Sequence, residues 1–415
     1  MPERKTVPSL RFNGFDDAWE QHKFSDLVLI ERGGSPRPID DYVTDAPNGL
    51  NWVKIGDAPI QGRYITKTAE RIKPEGLSKT RQVQPGDLIL SNSMSFGKPY
   101  IMGIDGCIHD GWLLIRDNKN CFDLKFLCHM LGTNQMLDQY RMFAAGSTVN
   151  NLNKVLVGNT TVSDPSVDEQ KAIGEYLESL DTLIILHQRK YEQLVKVKKS
   201  MLEKMFPRNG SNAPEIRFKG FTAPWEQYKL GNLSSFITKG ATPTTYGYRW
   251  AEYGIPFFRN DSIKNNKFVF GDYSYITEDA NNAISRSEIH GNDILIAITG
   301  DIGKAGIVPQ SIKKANINQH MARVRIITDT IPYFVYQSLI TEEQQNKYTA
   351  IKTGLSMPQL SLEQIRETVV LLPQRDEQMM IGRCLLFADS LIDLNQKKCE
   401  KLKHLKQSML EKMFV

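Results

Sequence analysis

The segment DEQKAIGEYLESLDTLIILHQRKYEQLVKVKKSMLEKMF, residues 168–206, is the most regular part of the sequence. A second copy, DEQMMIGRCLLFADSLIDLNQKKCEKLKHLKQSMLEKMF, occupies residues 376–414. Both copies open with Asp-Glu-Gln and close with Met-Leu-Glu-Lys-Met-Phe, and the offset between them is 208 residues throughout. Each copy is predicted to form one long helix, about 50 Å in length at about 1.5 Å per residue.

Apolar residues recur in each copy at alternating steps of four and three. This seven-residue repeat is typical of a coiled coil, because its period leaves a seam that a partner helix must cover. Polar residues enter the seam at matching places, His187 with Asn395 and Lys198 with Lys406, where they are expected to fix the register. The alternative is that both helices are amphipathic and lie on globular cores. The residues predicted to hold the coil or to contact a partner are Leu177, Leu180, Ile184, Tyr191, Leu194, Leu385, Ile392, Leu402 and Met409.

The repeat extends beyond the two helices. The motif at 11–15, Arg-Phe-Asn-Gly-Phe, returns at 217–221 as Arg-Phe-Lys-Gly-Phe, and Gly97-Lys98 returns as Gly303-Lys304. One unit has therefore been duplicated in tandem, which differs from a solenoid of short repeats. Between these anchors the copies diverge, as residues 37–42 and 244–249 illustrate. Two units with one framework and different variable segments indicate two related readers with different ligands.

Each globular part combines predicted strands with segments of helical spacing, so the fold class is predicted to be α+β. The predicted helical segments are 122–140 and 333–348, and the predicted strands are 87–91, 112–116, 293–298 and 324–327. The connector at 207–216 is rich in Pro, Gly, Ser and Asn, which marks an exposed linker. The expected segments are a first globular domain at 1–166, a long helix at 167–206, the connector at 207–216, a second domain at 217–374 and a second long helix at 375–415.

Composition excludes several classes of protein. The chain of 415 residues is 40% hydrophobic with a formal net charge of +5, which permits nucleic-acid binding without requiring it. Its apolar runs are far shorter than a membrane span, and the N-terminus shows no signal peptide. Five cysteines without a C-x-x-C pair favour reduced thiols in the cytoplasm and argue against a zinc site.

Signals of catalysis are weak. The segment Gly300-Asp301-Ile302-Gly303-Lys304-Ala305 imitates the end of a phosphate-binding loop, but its first glycine is misplaced and Ala305 stands where Ser or Thr is required. The dinucleotide, esterase and metalloprotease motifs are absent, as is an Asn-Pro-Pro-Tyr-like tetrad for base methylation. We therefore expect a chain without catalytic residues or a metal site of its own.

Signals of binding are stronger, because glycine-flanked loops with short polar and basic residues recur at the same places in both copies. Backbone N–H groups, hydroxyls and Lys bind phosphate oxygens, while Asn, Gln and Arg bind base edges in the major groove. Taken singly, each loop is better explained as an ordinary solvated turn, and it is the recurrence of the same three positions in both copies that favours binding for the set. The candidate DNA-binding residues are Ser35, Arg37, Ser93, Ser95, Lys98, Ser147, Thr148, Asn150, Lys239, Thr242, Thr244, Tyr246, Arg259, Asn260, Thr299, Lys304, Asn318, Gln319, His320, Ser356 and Gln359.

Together, these features resemble the specificity subunit of a Type I restriction–modification system over the whole chain. The resemblance depends on the two helix starts and endings, on Asn318-Gln319-His320-Met321 and on the Gly-Leu-Ser-Met-Pro-Gln-Leu run at 354–360. It implies two target-recognition domains, each reading half of a split DNA site, and a pseudo-twofold arrangement in which the long helices pair antiparallel as a spacer. The loop at 146–152 departs from the pattern that 354–360 follows.

The same resemblance implies partners. Two modification (methyltransferase) subunits would dock on the repeated parts, and restriction subunits would join them to cleave DNA. S-adenosylmethionine, ATP and Mg²⁺ would be bound by those partners, with no cofactor in this chain. The alternatives are a duplicated scaffold that binds only proteins and a DNA-modifying enzyme that acts alone.

Overall fold

The computed structural model describes residues 7–92, 96–144, 152–208, 210–353 and 358–415. Two long helices are present, α5 at Val167–Lys204 and α10 at Arg375–Lys412, each of 38 residues. Both begin at the predicted residue, and they end two and three residues before the predicted ends at 206 and 415. The chain divides into two compact units, and the boundary between them falls near the middle of each long helix. Unit 1 comprises the described residues of Met1–Lys190 and Asn395–Val415, and unit 2 comprises Tyr191–Leu394.

Unit 1 combines small sheets with short helices, as the α+β prediction requires. Its strands are β1 (Glu20–Lys23), β2 (Leu29–Arg32), β3 (Leu50–Val53), β4 (Tyr64–Ile65), β5 (Glu70–Ile72), β6 (Arg81–Val83), β7 (Leu88–Ser91), β8 (Pro99–Met102), β9 (Gly106–Ile108), β10 (Trp112–Arg116) and β11 (Thr161–Asp164). Its shorter helices are α1 (Phe24–Leu27), α2 (Leu124–Leu131), α3 (Asn134–Ala144) and α4 (Lys154–Gly158), with 3-10 turns at Ile39–Asp41, Ile55–Asp57 and Pro74–Lys79. The sheets have the strand orders β2-β10-β7-β8-β4, β5-β3-β9-β6 and β1-β11.

Unit 2 repeats this plan. Its strands are β12 (Glu226–Lys229), β13 (Ser234–Lys239), β14 (Ile255–Phe258), β15 (Ile263–Lys264), β16 (Lys267–Phe268), β17 (Ser274–Ile276), β18 (Glu288–Ile289), β19 (Ile294–Ala297), β20 (Ala305–Ile307), β21 (Ala315–Ile317), β22 (Met321–Ile326) and β23 (Val369–Leu372). Its shorter helices are α6 (Glu278–Ala283), α7 (Pro332–Leu339), α8 (Glu342–Ile351) and α9 (Leu362–Arg366), with 3-10 turns at Pro243–Tyr246, Asn260–Ser262 and Ser285–Ser287. The sheets have the orders β13-β22-β19-β20, β17-β14-β21-β18, β12-β23 and β15-β16.

The framework sheets of the two units share four strands in the same order, and unit 1 adds β4 at one edge. In unit 1, β10 pairs antiparallel with both β2 and β7, and in unit 2 β22 pairs antiparallel with both β13 and β19. The predicted strands at 87–91, 112–116, 293–298 and 324–327 are therefore confirmed as central strands. Asp87 and Asp293 precede equivalent strands, and each accepts two hydrogen bonds from an arginine. Arg116 donates to Asp87 at 3.0 and 2.7 Å, and Arg325 donates to Asp293 at 2.8 and 2.7 Å.

The two predicted helical segments at 122–140 and 333–348 are each divided into two helices. In unit 1 the break falls at Gly132-Thr133, where the Thr133 hydroxyl donates to the Met130 carbonyl at 2.8 Å. In unit 2 Thr341 caps α8 by accepting from the Gln344 N–H at 3.4 Å. The predicted helical character of both segments is confirmed, and the apolar spacing continues across a turn that the capping hydroxyls close.

The Asp-Glu-Gln starts of the long helices hold each helix onto its own unit. Glu169, 1% exposed, accepts two hydrogen bonds from Arg11 at 2.8 and 2.6 Å, and Glu377 accepts the same pair from Arg217 at 2.8 and 2.7 Å. The Gln170 side chain, which follows Glu169, accepts from the Asp123 N–H at 2.9 Å at the start of α2. These repeated residues are therefore structural, since bidentate Arg–carboxylate pairs fix geometry.

The Met-Phe endings enter the hydrophobic cores. Phe414 stacks on Phe126 at a centroid distance of 5.3 Å in unit 1, and Phe206 packs on Phe334 at 5.2 Å in unit 2. The framework tryptophans complete both clusters, and Trp19 and Trp225, which are 3% and 2% exposed, anchor the two cores. The long helices therefore belong to the hydrophobic cores and also pair as a coil. The coiled-coil prediction and the alternative of amphipathic helices on globular cores are each correct in part.

Antiparallel helix pairing occurs within each unit. In unit 1, His187 Nδ1 lies 2.9 Å from Asn395 Oδ1, so the two polar residues of the predicted seam pair with each other. In unit 2, Lys198 donates to both carboxylate oxygens of Asp389 at 2.8 and 2.7 Å. Lys406 binds Asp181 in unit 1, which is the equivalent pair in the repeat. Polar seam residues that meet only in one alignment specify the register of the coil.

Candidate nucleic-acid interface

In unit 2 the predicted binding loops meet at one edge of the β13-β22-β19-β20 sheet. The Gly240 N–H donates to the Met321 carbonyl at 2.9 Å, and the Ala241 N–H donates to the Ile317 carbonyl at 3.1 Å. A Cβ at Gly240 would lie 1.9 Å from the Asn318 carbonyl oxygen, so only glycine allows this approach. The Thr242 hydroxyl hydrogen-bonds the Gln319 side chain across the junction. Loops distant in sequence thus form one polar surface.

The loop after β19 joins the same edge. The Ile298 N–H donates to the His320 carbonyl at 2.9 Å, and the Leu360 N–H donates to the Ile298 carbonyl at 3.0 Å. Thr299 and Gln359 form an isolated β-bridge beside these contacts. The structure therefore brings together Lys239, Thr242, Thr299, Gln319, His320 and Gln359. Lys304 is half-buried at the start of β20.

The neighbouring predicted residues Asn318 and Gln319 differ in the solvent exposure of their side chains. Gln319 is exposed, whereas Asn318 is 7% exposed and its Oδ1 accepts from the His320 N–H at 3.3 Å. The Asn318 side chain therefore fixes the turn that presents its two neighbours.

Arg259 is held over an aromatic ring next to this surface. Its guanidinium carbon lies 5.3 Å from the centre of the Trp250 ring, and its Nη2 donates to the Ser274 hydroxyl at 3.0 Å. Arg259 and its neighbour Asn260 are both exposed. An arginine oriented by stacking and by one hydrogen bond is preorganised to bind a planar acceptor. Trp250 was not predicted, although aromatic residues at 246, 248, 250 and 253 mark this variable segment.

Unit 1 builds an equivalent edge from different side chains. The Gly33 N–H donates to the Trp112 carbonyl at 2.9 Å and the Gly34 N–H to the Ile108 carbonyl at 3.1 Å, as Gly240 and Ala241 do in unit 2. This correspondence aligns residues 109–111 with 318–320. The Ser35 hydroxyl donates to Asp110 Oδ1 at 3.0 Å, and Arg37 is exposed.

His109 and Asp110 were missed by sequence reasoning. They occupy the positions of Asn318 and Gln319, and His109 Nε2 lies 2.9 Å from Asp110 Oδ1. Burial lowers the pKa of His109 below its ordinary value. The two loops have no identical residues at matching positions, so their equivalence is visible only through the backbone hydrogen bonds that flank them.

The remaining candidates divide by position. Thr244 and Tyr246 are exposed on the 3-10 turn after Lys239, and Lys98 is exposed beside β8. The predictions that lie outside the described residues are Ser93, Ser95, Ser147, Thr148, Asn150 and Ser356.

The predicted seam residues form part of each unit's core. Leu177, Leu180 and Ile184 are 0%, 4% and 7% exposed in unit 1, and Leu385 and Ile392 are 0% and 4% exposed in unit 2. Leu402 and Met409 pack against the unit 1 core, while Tyr191 and Leu194 are half-buried in unit 2. Buried seam positions hold the helices and leave the outer faces for contacts with other molecules.

Among the residues that the structure describes, one group of potential metal ligands is present, and it comprises His129, Glu178 and Asp181 of unit 1. Arg63 Nε contacts Asp181 Oδ2 at 3.2 Å, and Lys406 contacts the other carboxylate oxygen. Burial, followed by the charges of Arg63 and Lys406, lowers the pKa of His129 well below its ordinary value. Two cations that already occupy the carboxylate oppose a further cation at this position.

The family comparison covers both copies. The model of the Type I restriction modification DNA specificity domain matches residues 17–196 and 223–404. The chain is 24% identical to the putative type I restriction enzyme MjaX specificity subunit of Methanocaldococcus jannaschii, covering 94% of this chain and 92% of the relative. It is 23% identical to the EcoBI specificity subunit of Escherichia coli, covering 96% and 86%.

A solved structure shares the fold. The type I restriction–modification S subunit of M. genitalium matches with a TM-score of 0.66 over 99% of both chains, at 16% identity. Among the described residues, no helix is both long and apolar enough to cross a membrane. The duplicated framework, the two polar loop edges and the family match over both copies lead to one conclusion: the chain belongs to the family of DNA specificity subunits of type I restriction–modification systems.

Proposed function

We propose that each unit reads one half of a divided DNA target through its loop edge. The observation that carries this proposal is that equivalent backbone hydrogen bonds at Gly33-Gly34 and at Gly240-Ala241 support different side chains. Arg37, His109 and Asp110 stand in unit 1 where unit 2 has Thr244, Asn318 and Gln319. Because base edges are distinguished by donor and acceptor patterns, unlike side chains on one framework read unlike sequences.

The chemistry of the unit 2 edge suits base and backbone contacts together. Gln319 can donate to and accept from adenine, and Arg259 can donate twice to guanine. Lys239, Thr242 and Thr299 supply donors for phosphate oxygens, which position a protein without reading sequence.

The chain acts without catalytic residues of its own. Two methyltransferase subunits dock on the repeated parts, one per copy, and restriction subunits join them. S-adenosylmethionine, ATP and Mg²⁺ belong to those partners, and the complex works in the cytoplasm, where the DNA is. Neither alternative, a protein-binding scaffold or a self-sufficient methyltransferase, gives a role to the two loop edges.

The half-site assignment is tested by changing one edge at a time. We expect the double variant Arg259→Ala, Gln319→Ala to relax or change one half of the target and to leave the other half unaltered. Loss of one good base contact weakens discrimination at its position by about 1–3 kcal/mol, or roughly 5- to 150-fold. The measurement is methylome sequencing of a host that carries the chain with its methyltransferase partner.

The matched control is Arg37→Ala in unit 1, which should change only the opposite half. If either variant alters both halves together, the division of labour between the units is wrong. If the purified chain alone methylates DNA when S-adenosylmethionine is added, the non-catalytic assignment is wrong. Equal binding of target and unrelated duplex at moderate salt would favour the protein scaffold.

Docking of the partners is tested at the outer faces of the long helices. Leu186 and Leu394 occupy the same position in the two copies and are 57% and 48% exposed. We expect Leu186→Asp or Leu394→Asp to leave one methyltransferase bound, and the double variant to leave none, because a carboxylate in an apolar contact is costly to desolvate. Native mass spectrometry of the mixed subunits gives the stoichiometry.

Lys190 and Lys398 provide the control, since they are also equivalent and exposed. Lys190→Asp with Lys398→Asp should retain both methyltransferases. Full assembly by the double leucine variant would place docking elsewhere.

A further inference from the structure

Arg323 on β22 is a buried cation that forms no direct ion pair among the described residues, and the charges of Asp293 and Glu288 act on it only at longer range. Its residue is 4% exposed, and its Nε has no hydrogen-bond partner. Its Nη1 donates to the Glu288 backbone carbonyl, and its guanidinium carbon lies 4.5 Å from the centre of the Phe236 ring. Within the described part of the chain, no carboxylate oxygen lies within 4.0 Å of the guanidinium nitrogens. Buried charges are normally paired, so this arginine lacks a partner that its surroundings call for.

The framework does not require a charge at this position. Arg323 lies opposite Leu295 of β19, and in unit 1 the equivalent strand pair places Leu114 opposite Ile89. Leu114 is 1% exposed and packs with Val53 and Trp112 in an apolar cluster. The same fold is therefore complete with leucine in unit 1, and the arginine of unit 2 is a difference that packing does not explain.

The guanidinium borders an open cleft of about 580 Å³. The cleft also presents Arg286 and the hydroxyl-bearing Ser235 and Ser285, all exposed. Arg325 lines it too, but is committed to Asp293. The one carboxylate in the lining, Glu288, is held by His290 at 2.7 Å and by the Asn281 amide. The Ser235 hydroxyl donates to the Arg325 carbonyl at 3.3 Å. The donors that remain, the guanidinium groups of Arg323 and Arg286 and the Ser285 hydroxyl, suit a phosphate.

The cleft adjoins the candidate DNA-binding surface. Thr238 lies directly opposite Arg323 in the β13–β22 ladder and immediately precedes Lys239. Arg286 Nη2 donates to the Tyr246 hydroxyl at 3.3 Å, which links the cleft to the 3-10 turn of the same variable segment. A duplex that reaches Lys239 and Tyr246 would bring its backbone to these donors.

We propose that the Arg323 cleft binds a phosphate of the DNA backbone and positions unit 2 on its half-site. The proposal depends on the proposed function, since it adds a specific contact to unit 2's reading of DNA. A phosphate contact carries affinity and salt dependence and no base preference. Unit 1, with Leu114 at the equivalent position, lacks this contact and must position itself differently.

The test replaces Arg323 by the residue that unit 1 carries. The full-length Arg323→Leu chain is assayed against a duplex containing the methylome-defined target and against an unrelated duplex, over a series of salt concentrations. We expect about tenfold weaker binding to both duplexes with an unchanged ratio between them. The slope of log affinity against log salt should become shallower by about 0.9. The melting temperature should stay level or rise, because an unpaired buried charge has been removed.

Two controls separate charge from position. Arg323→Lys keeps the cation and should retain the wild-type salt slope with partial affinity. Lys219→Ala removes one exposed charge on the segment that follows the connector, and it should change neither affinity nor slope. Inorganic phosphate, added at constant ionic strength, should raise the melting temperature of the wild type more than that of Arg323→Leu.

Several results would overturn the proposal. Wild-type affinity and slope in Arg323→Leu, with target discrimination intact in the wild type, would reject the phosphate contact and leave the proposed function standing. A lowered melting temperature would show that Arg323 stabilises the unit. Stabilisation by inorganic phosphate without any change in DNA binding would assign the cleft to a free anion. A wild-type chain that binds no DNA would reject the proposed function and this inference together.

Discussion

Phe414→Ala is expected to destabilise unit 1 by about 3–5 kcal/mol, although Phe414 is the penultimate residue of the sequence. Its ring is 4% exposed, stacks on Phe126 at 5.3 Å and meets Trp19 edge-on at 6.2 Å. Truncation would leave a cavity among aromatic side chains that cannot collapse to fill it. Urea unfolding followed by tryptophan fluorescence, with Trp19, Trp52 and Trp112 as reporters of unit 1, measures the loss.

Phe206→Ala is the matched variant in unit 2, because Phe206 makes the equivalent contacts with Phe334 and Trp225. A loss of similar size should appear there. Leu405→Ala, at a residue 39% exposed, serves as the control and should shift stability by less than about 1 kcal/mol. A loss below about 1 kcal/mol in Phe414→Ala would mean that the helix end does not belong to the unit 1 core.

Asp389→Ala is expected to cost about 3–5 kcal/mol, because it leaves the Lys198 ammonium buried without a counter-charge. Besides its two bonds to Lys198, the carboxylate accepts from the Tyr333 hydroxyl at 2.6 Å and the Gln337 amide at 3.1 Å. Burial alone would raise the pKa of Asp389, but the charge of Lys198 holds it below its ordinary value. Thermal and urea unfolding of the full chain give the change.

The double variant Lys198→Met, Asp389→Leu distinguishes the contribution of the Lys198–Asp389 ion pair from that of the other hydrogen bonds to Asp389. Apolar residues of similar volume often replace a buried ion pair at little cost, so the double variant should recover most of the stability lost in Asp389→Ala. Its seam would, however, lose a contact that fixes register, so methyltransferase stoichiometry should become heterogeneous. Equal destabilisation in the single and double variants would show that Asp389 serves chiefly its Tyr333 and Gln337 bonds.

Local patterns account for what could be predicted early. The seven-residue stripe gave both long helices because the periodicity of an amphipathic helix is visible in a short window. The equivalence of the polar positions His187 and Asn395 followed from the 208-residue offset, and the structure adds that these two side chains contact each other. The breaks at Gly132-Thr133 and at Thr341 were missed, since capping competes with a propensity that continues on both sides.

The candidate site divides in the same way. The loops at Lys239–Tyr246 and Asn318–His320 were recognised by residue type, and the structure joins them through Gly240. His109 and Asp110 could not be recognised because their equivalence to Asn318 and Gln319 is carried by backbone hydrogen bonds and leaves no shared letters. The role of Trp250 in orienting Arg259 could not be predicted for a related reason. The two residues are nine apart in the sequence, and their side chains come into contact only in the folded chain.

The sequence by itself determined the duplication, the two long helices, their seam and the family. Tertiary structure alone decided which helix end enters which core and which loops share an edge. It also decided that Arg323 is buried without a direct ion pair among the described residues, where unit 1 carries Leu114. The physical reason is the separation along the chain of the residues that determine each feature. Helix periodicity and repeats are properties of neighbouring residues, whereas burial and charge pairing depend on residues brought together from distant parts of the chain.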